Sequence, residues 1–322
     1  MNAVRTLRRT ILGILSIAAL AALSACVVDT PGEQEAVLVT GASSGIGRAI
    51  AERLASEGHF VYAGARKQAD IDELDAIENI QAVRLDVTIQ GDIDAAVETI
   101  REAGRGLHGV VNNAGVMTVG ALHEMPEEDL AFQFDVNVYG VYRVTKAFVP
   151  LVAESQGRIV NIGSVTGIFS EPVTGAYHMS KQAIEAYTDS LAASLASLGI
   201  EVSVIEPGRF QSNIMNSMAQ RMAARQRAEG EAGQAPPGQL LLPNSASKQV
   251  KKPDAVADAV LHALFDDDPK RRYLVVPDQG TAERTIRDHI EKLVQLNAEH
   301  DFSFDRDTLV EMLDEALAAE AD

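Results

Sequence analysis

From residue 36 onward, short apolar runs alternate with longer stretches whose apolar residues recur at three- and four-residue spacing. The short runs read as buried strands and the longer stretches as amphipathic helices, a repeating strand–helix order that specifies a parallel sheet. The strands are expected at 36–40, 60–65, 81–85, 109–112, 158–163, 201–205 and 273–276. Helices fill the gaps, among them 47–57, 92–103, 130–152 and 177–198. Seven strands joined by crossovers make one doubly wound α/β domain with helices on both faces. No internal repeat interrupts the order.

Three segments depart from it. Residues 1–10 carry Arg5, Arg8 and Arg9, and residues 11–25 are apolar and small, ending in Leu23-Ser24-Ala25-Cys26. That is the layout of a secretory signal with a lipid-attachment cysteine, and Leu7-Arg8-Arg9-Thr10-Ile11-Leu12 resembles a twin-arginine export signal. The expected organisation is therefore a signal at 1–25, a tether at 26–35 that links a lipidated Cys26 to the domain, and a domain held at a bacterial membrane on the periplasmic side. A cytoplasmic enzyme is the alternative. Residues 209–250 begin helix-like and end rich in Gly, Pro and Ser, a connection long enough to serve as a substrate lid. Residues 281–322 are acidic with helical spacing and read as a helical extension beyond a domain that closes at 280.

Composition narrows the function classes. The chain of 322 residues has a net charge of -18, and loss of residues 1–25, with three arginines and no acid, makes it -21. Nucleic acid is excluded as a partner, since phosphate backbones call for Lys/Arg stripes. Cys26 is the only cysteine, and the seven histidines show no ligand spacing, so neither a disulfide framework nor a metal site is expected.

Candidate chemistry sits at strand ends. Thr40-Gly41-Ala42-Ser43-Ser44-Gly45-Ile46-Gly47 follows a strand and opens a helix. Glycines there permit a tight turn and let amides approach a pyrophosphate at the positive end of the helix. Tyr177 and Lys181 are four apart on one helical face, and a neighbouring ammonium favours the phenolate. Tyr142 and Lys146 have the same spacing. Context separates the pairs: Ser164 caps an apolar strand 13 residues before Tyr177, whereas Tyr142 lies inside a long helix with no such partner. His178 is expected to point away from the site, toward a surface or interface.

Taken together, the glycine turn, Asn112-Asn113-Ala114-Gly115, Asn137, Ser164, Tyr177-xxx-Lys181 and Pro207-Gly208 resemble, in order and interval, the compact short-chain dehydrogenase/reductase family over about residues 36–280. The resemblance implies a Rossmann-type sheet, a small alcohol or carbonyl as substrate, and hydride transfer with a nicotinamide cofactor. It implies Tyr177 as acid/base, Lys181 as the ribose-holding cation that lowers the Tyr177 pKa, Ser164 as the donor to the substrate oxygen, and Asn137 as holder of a relay water. Gly41, Ser43, Ser44, Gly45, Ile46, Gly47, Asp86, Val87, Asn113, Ala114, Gly115, Pro207 and Gly208 would join Tyr177 and Lys181 around the cofactor. NAD-using members carry Asp where Ala65 stands; here Arg66-Lys67 follow, which favours NADP, with NAD the alternative. Substrate similarity points to lipophilic alcohols. A non-catalytic, membrane-tethered nucleotide sensor or scaffold is the second reading, which has no need of Asn137, Ser164, Tyr177 and Lys181 together. Self-association is left open.

Overall fold

The protein is described here by a computed structural model covering residues 34–228 and 250–320. The signal, Cys26, most of the tether, and residues 229–249 of the expected lid lie outside the described residues. Seven parallel strands, β1 (Ala36–Val39), β2 (Phe60–Ala65), β3 (Ile80–Arg84), β4 (Gly109–Asn112), β5 (Arg158–Ile162), β6 (Glu201–Pro207) and β7 (Arg272–Val275), form one sheet in the order β3-β2-β1-β4-β5-β6-β7. This is the doubly wound, Rossmann-type sheet read from the sequence.

The order reverses between β1 and β4, where Leu38 lies beside Val110 on one edge and Tyr62 on the other. A crevice opens at such a reversal, outside the carboxyl ends of the strands. Every residue of β1 is buried, and its side chains alternate between two cores. Val37 and Val39 pack with α1 (Gly45–Ser56) and α8 (Asp254–Phe265) through Ile50, Leu54, Val256, Val260 and Leu264. Ala36 and Leu38 face α3 (Gln90–Ala103) and α5 (Val141–Glu154) through Ile93, Ile100, Val144 and Phe148. A strand covered on both faces needs a continuous apolar run, which is why AVLV lacks the polar alternation of a half-exposed strand.

The remaining helices are α2 (Gln68–Asp75), α4 (Glu127–Phe134), α6 (Gly175–Leu195), α7 (Ile214–Ala228), α9 (Gln279–Asn297) and α10 (Arg306–Ala319). Two expectations need correction. The single helix expected over 130–152 is α4 and α5 joined by a π-turn at Asp135–Gly140. Strand β6 runs two residues past its expected end because β7 pairs with it as far as Pro207↔Val275. Helices α9 and α10 are charged but also leave Ile290, Leu293, Val294 and Leu317 at least half exposed.

Candidate active site

The glycine turn is fastened from the far side of the crevice. Asn113, just past β4, donates through Nδ2 to the carbonyls of Thr40 (2.9 Å) and Gly41 (3.2 Å). The Thr40 hydroxyl accepts the amides of Asn113 (2.9 Å) and Ala114 (3.0 Å) in return. A Cβ on Gly47 would lie 2.3 Å from Asn113 Nδ2 and 2.4 Å from the Gly41 carbonyl oxygen, so only glycine lets the turn and α1 approach so closely. Gly41 and Gly45 have φ of +65° and +59°, a conformation side chains disfavour. Ser43 and Ile46 are half-buried in the same turn. Ser44 caps α1 without a side-chain hydrogen bond, and no acid occupies its first turn. The amides at that helix start are thus left for an external anion. This cradle fits a dinucleotide pyrophosphate.

At the end of β2, the Arg66 guanidinium lies 3.6 Å from the Asp86 carboxylate and is mostly exposed. Burial raises the Asp86 pKa, but hydrogen bonds from Thr88 and the charge of Arg66 outweigh it and hold the carboxyl below its ordinary range. Val87 is buried, with Gly140 packed so close that a Cβ there would meet Val87 Cγ2 at 2.6 Å. On the opposite side, Gly208 sits against Pro277 and Val276 at the end of β6. Gly115 faces Asn137, whose Oδ1 accepts the Val116 amide (2.8 Å) and whose Nδ2 donates to the Val116 carbonyl (3.0 Å) and Ser180 Oγ (3.1 Å). The π-turn carries Asn137 to these partners.

Ser164 leaves β5 in an extended conformation and caps a 3-10 turn, its Oγ accepting the Thr166 amide at 3.2 Å and reaching the Pro207 carbonyl at 3.5 Å. The Tyr177 hydroxyl, from the first turn of α6, hydrogen-bonds the same Oγ. One turn on, the Lys181 ammonium lies 5.6 Å from the Tyr177 ring centroid and donates to the Ile162 carbonyl at 2.7 Å. The structure thus brings Asn137, Ser164, Tyr177 and Lys181 to one place beside the cradle. Tyr142 lies elsewhere, 47% exposed on α5.

The electrostatics differ from the sequence expectation. Tyr177 keeps part of its surface open, yet burial pushes its phenol up to about 12, with the Ser164 hydrogen bond pulling the other way. Burial of the phenol is the dominant influence; the Lys181 ammonium, which donates to Ile162, is itself pushed down to about 8 by burial, against the opposing charge of Glu185. Tyr177 is therefore a neutral phenol at neutral pH, poised to give a proton rather than take one.

His178 also corrects the reading from sequence. It is buried, and its Nδ1 faces the carbonyls of Phe169 (2.6 Å) and Thr166 (3.0 Å), so Nδ1 carries the hydrogen and Nε2 accepts from the Thr174 hydroxyl (2.9 Å). It staples the loop between Ser164 and Tyr177. The Thr174–His178 spacing across the first turn of a helix was the available signal. The outer face of that loop is gripped by α9: Arg284 stacks 4.2 Å from the Phe169 ring centroid and pairs with Glu171, and Lys292 bonds the Ile168 carbonyl. The sequence offered nothing for these contacts, since they join residues more than 110 positions apart.

Comparison with known proteins follows the same lines. A family model described as short chain dehydrogenase matches residues 35–223. The "Uncharacterized oxidoreductase YbbO" of Escherichia coli is 34% identical over 248 residues, 75% of this chain and 86% of that protein. Retinol dehydrogenase 7 of Rattus norvegicus is 38% identical over 185 residues, 56% of this chain and 58% of that protein. The crystal structure of a short chain dehydrogenase/reductase from Burkholderia phymatum, in complex with NAD, aligns with a TM-score of 0.68 at 27% identity, covering 84% of this chain and 98% of that one.

Proposed function

This chain belongs to the short-chain dehydrogenase family, and from that premise we propose that it interconverts the alcohol and carbonyl forms of a lipophilic small molecule, with NADP as the hydride carrier. The observation that carries the reading is the convergence of Ser164, Tyr177, Lys181 and Asn137 beside a glycine cradle that admits no side chain. When bound, the nicotinamide supplies or accepts the hydride. The protein's own residues move the proton and hold the charge.

In the reducing direction, the neutral Tyr177 hydroxyl gives its proton to the substrate oxygen, and the Ser164 hydroxyl donates to the same oxygen as charge develops on it. The Lys181 ammonium offsets the negative charge left on Tyr177. Proton resupply runs from solvent past Asn137 to Lys181 and on to Tyr177. Asn137, whose side-chain amide is fixed by Val116 and Ser180, would hold the relay water. In the oxidising direction Tyr177 must first lose its proton, which makes that direction faster at alkaline pH.

NADP is favoured because Arg66 and Lys67 follow β2, and the buried Ala65 offers no carboxylate to a ribose hydroxyl. The lipophilic class draws on the likeness to retinol dehydrogenase 7. The test is a panel of long-chain, steroid-like and short polar alcohols and ketones, assayed with each nucleotide by nicotinamide absorbance. Turnover confined to short polar substrates overturns the substrate class. Arg66→Ala is expected to weaken NADP by about 1–3 kcal/mol, the range for hydrogen bonds to charged groups, and to leave NAD unchanged. Equal losses for both nucleotides in a titration would rule out the 2′-phosphate contact.

The N-terminal signal belongs to the same proposal: residues 1–25 direct export by the twin-arginine route and Cys26 takes the lipid. Mass spectrometry of the protein from fractionated cells is expected to find lipidated Cys26 at the N-terminus in the membrane fraction. Soluble protein beginning at Met1 would replace this with a cytoplasmic enzyme.

A further inference from the structure

Below the site, between α6 and the end of the sheet, lies a group of charges that the reaction does not use directly. Glu185 follows Lys181 by one helical turn, and Glu206 directly precedes Pro207-Gly208. Their carboxyls converge on one guanidinium: Arg272 Nε on β7 is 3.3 Å from Glu185 Oε2 and 3.9 Å from Glu206 Oε1. Glu206 is buried and Glu185 nearly so. Asp189 on α6 takes the other side of Arg272 at 2.6 Å. Gly163 and Gly167 close over Glu185, each so near that a Cβ would meet its Oε1 within 3.1–3.3 Å.

Two buried oxygens, Glu185 Oε1 and Glu206 Oε2, have no donor in this arrangement. Two buried carboxylates side by side repel, and a single cation shared with Asp189 cannot offset both. A hydrogen between them resolves both difficulties, because a neutral carboxyl is a donor and a carboxylate an acceptor. We propose that Glu185 and Glu206 hold one proton between them, carried by Glu206, so that the remaining negative charge falls on Glu185 beside Lys181 and keeps that buried ammonium charged. Both are positioning residues that act through Lys181, and the inference rests on the role given to Lys181 above.

The charged groups around the pair are Arg272 from β7 and Asp189 and Lys181 from α6. Burial pushes both carboxyls up, Glu206 to about 8, where the repulsion of Glu185 adds to it while Arg272 pulls Glu185 down. Glu185 is the charge that supports ionised Lys181. Above about 8 the shared proton passes to solvent and both carboxyls are charged.

The test is made on the full-length protein with two readouts that need no turnover. The first is the infrared band of a neutral carboxyl; the second is the NMR titration of the Lys181 ammonium, assigned by its loss in Lys181→Met. Unsubstituted protein is expected to show the band at neutral pH and to lose it as pH passes about 8. Glu206→Gln is expected to abolish the band, since it removes the group that carries the proton, whereas Glu185→Gln removes only the added repulsion and is expected to lower the pH at which the band is lost. Only Glu185→Gln is expected to move Lys181, lowering its midpoint by on the order of one pH unit. Glu206→Gln keeps a neutral donor facing Glu185, so Lys181 should titrate as before. Absence of the band in the unsubstituted protein, which requires no variant to fold, overturns the proposal. So does a Lys181 midpoint that Glu185→Gln leaves in place, or that Glu206→Gln moves equally. Full turnover in Lys181→Met would instead overturn the role of Lys181 and leave the shared proton standing.

Discussion

Tyr177→Phe lowers kcat by about 10²–10⁴-fold, the contribution of a positioned proton donor, while nucleotide affinity stays as it was. The substitution removes one oxygen and keeps the ring, so the packing around α6 survives. Ser164 keeps its bonds to the Thr166 amide and the Pro207 carbonyl, so losing the phenol costs at most about 1 kcal/mol in stability. The matched control is Tyr142→Phe. The Lys146 ammonium lies 5.7 Å from the Tyr142 ring centroid, almost the 5.6 Å of Lys181 over Tyr177, so the two pairs are alike as pairs. They differ in surroundings: Tyr142 is 47% exposed, whereas Tyr177 is half-buried beside Ser164. Its loss should leave steady-state kinetics unchanged. A reversed outcome, with Tyr142→Phe inactive and Tyr177→Phe active, would place the chemistry elsewhere.

The second large effect is Gly47→Ala. The added methyl would fall 2.3 Å from Asn113 Nδ2 and 2.4 Å from the Gly41 carbonyl oxygen, well inside contact distance. Neither neighbour can retreat cheaply, because the Asn113 amide holds the carbonyls of Thr40 and Gly41. Overpacking of this kind costs about 1–3 kcal/mol, and each hydrogen bond broken to relieve it adds about 1 kcal/mol. The expected result is about 2–4 kcal/mol lost in denaturant unfolding, together with a nucleotide affinity at least about tenfold weaker because the amides no longer line the cradle. Gly91→Ala supplies the contrast: nothing lies within 4 Å of its Cβ position, and it sits in a helix, where alanine is the better residue. Unchanged nucleotide binding in Gly47→Ala would show that the turn does not hold the phosphates.

The periodicity of the chain carried the sheet. Strand β1 at the centre of the sheet is covered on both faces, so its apolar run AVLV is uninterrupted and visible. The glycine turn and the Tyr177–Lys181 spacing were visible too, because both depend on backbone positions within a few residues. What escaped was decided by partners distant in sequence. The π-turn at Asp135–Gly140 interrupts a continuous helical pattern because Asn137 must reach Val116 and Ser180. His178 looked like a surface residue because its loop partners are the carbonyls of Thr166 and Phe169, which no side-chain pattern reveals. The high pKa of Tyr177 was missed for a related reason. Spacing places Lys181 near the ring, but the depth of burial of the phenol, which spacing does not show, sets the direction of the shift.

The sheet order also has a consequence for how the chain matures. The bond from Thr40 to Val111 spans 71 residues, and the cradle is complete only when the segment after β4 docks against the turn after β1. Arg272, on the last strand, completes the surroundings of Glu185 and Glu206. Loop closure over such separations slows folding, and parallel strands offer no hairpin to shorten the search. A ribosome therefore releases the chain through Ala114 before the cradle has its partners, and nearly the whole domain before Arg272 reaches Glu185 and Glu206. Chains interrupted before β7 carry the tyrosine, the lysine and the glycines and still lack a finished pocket.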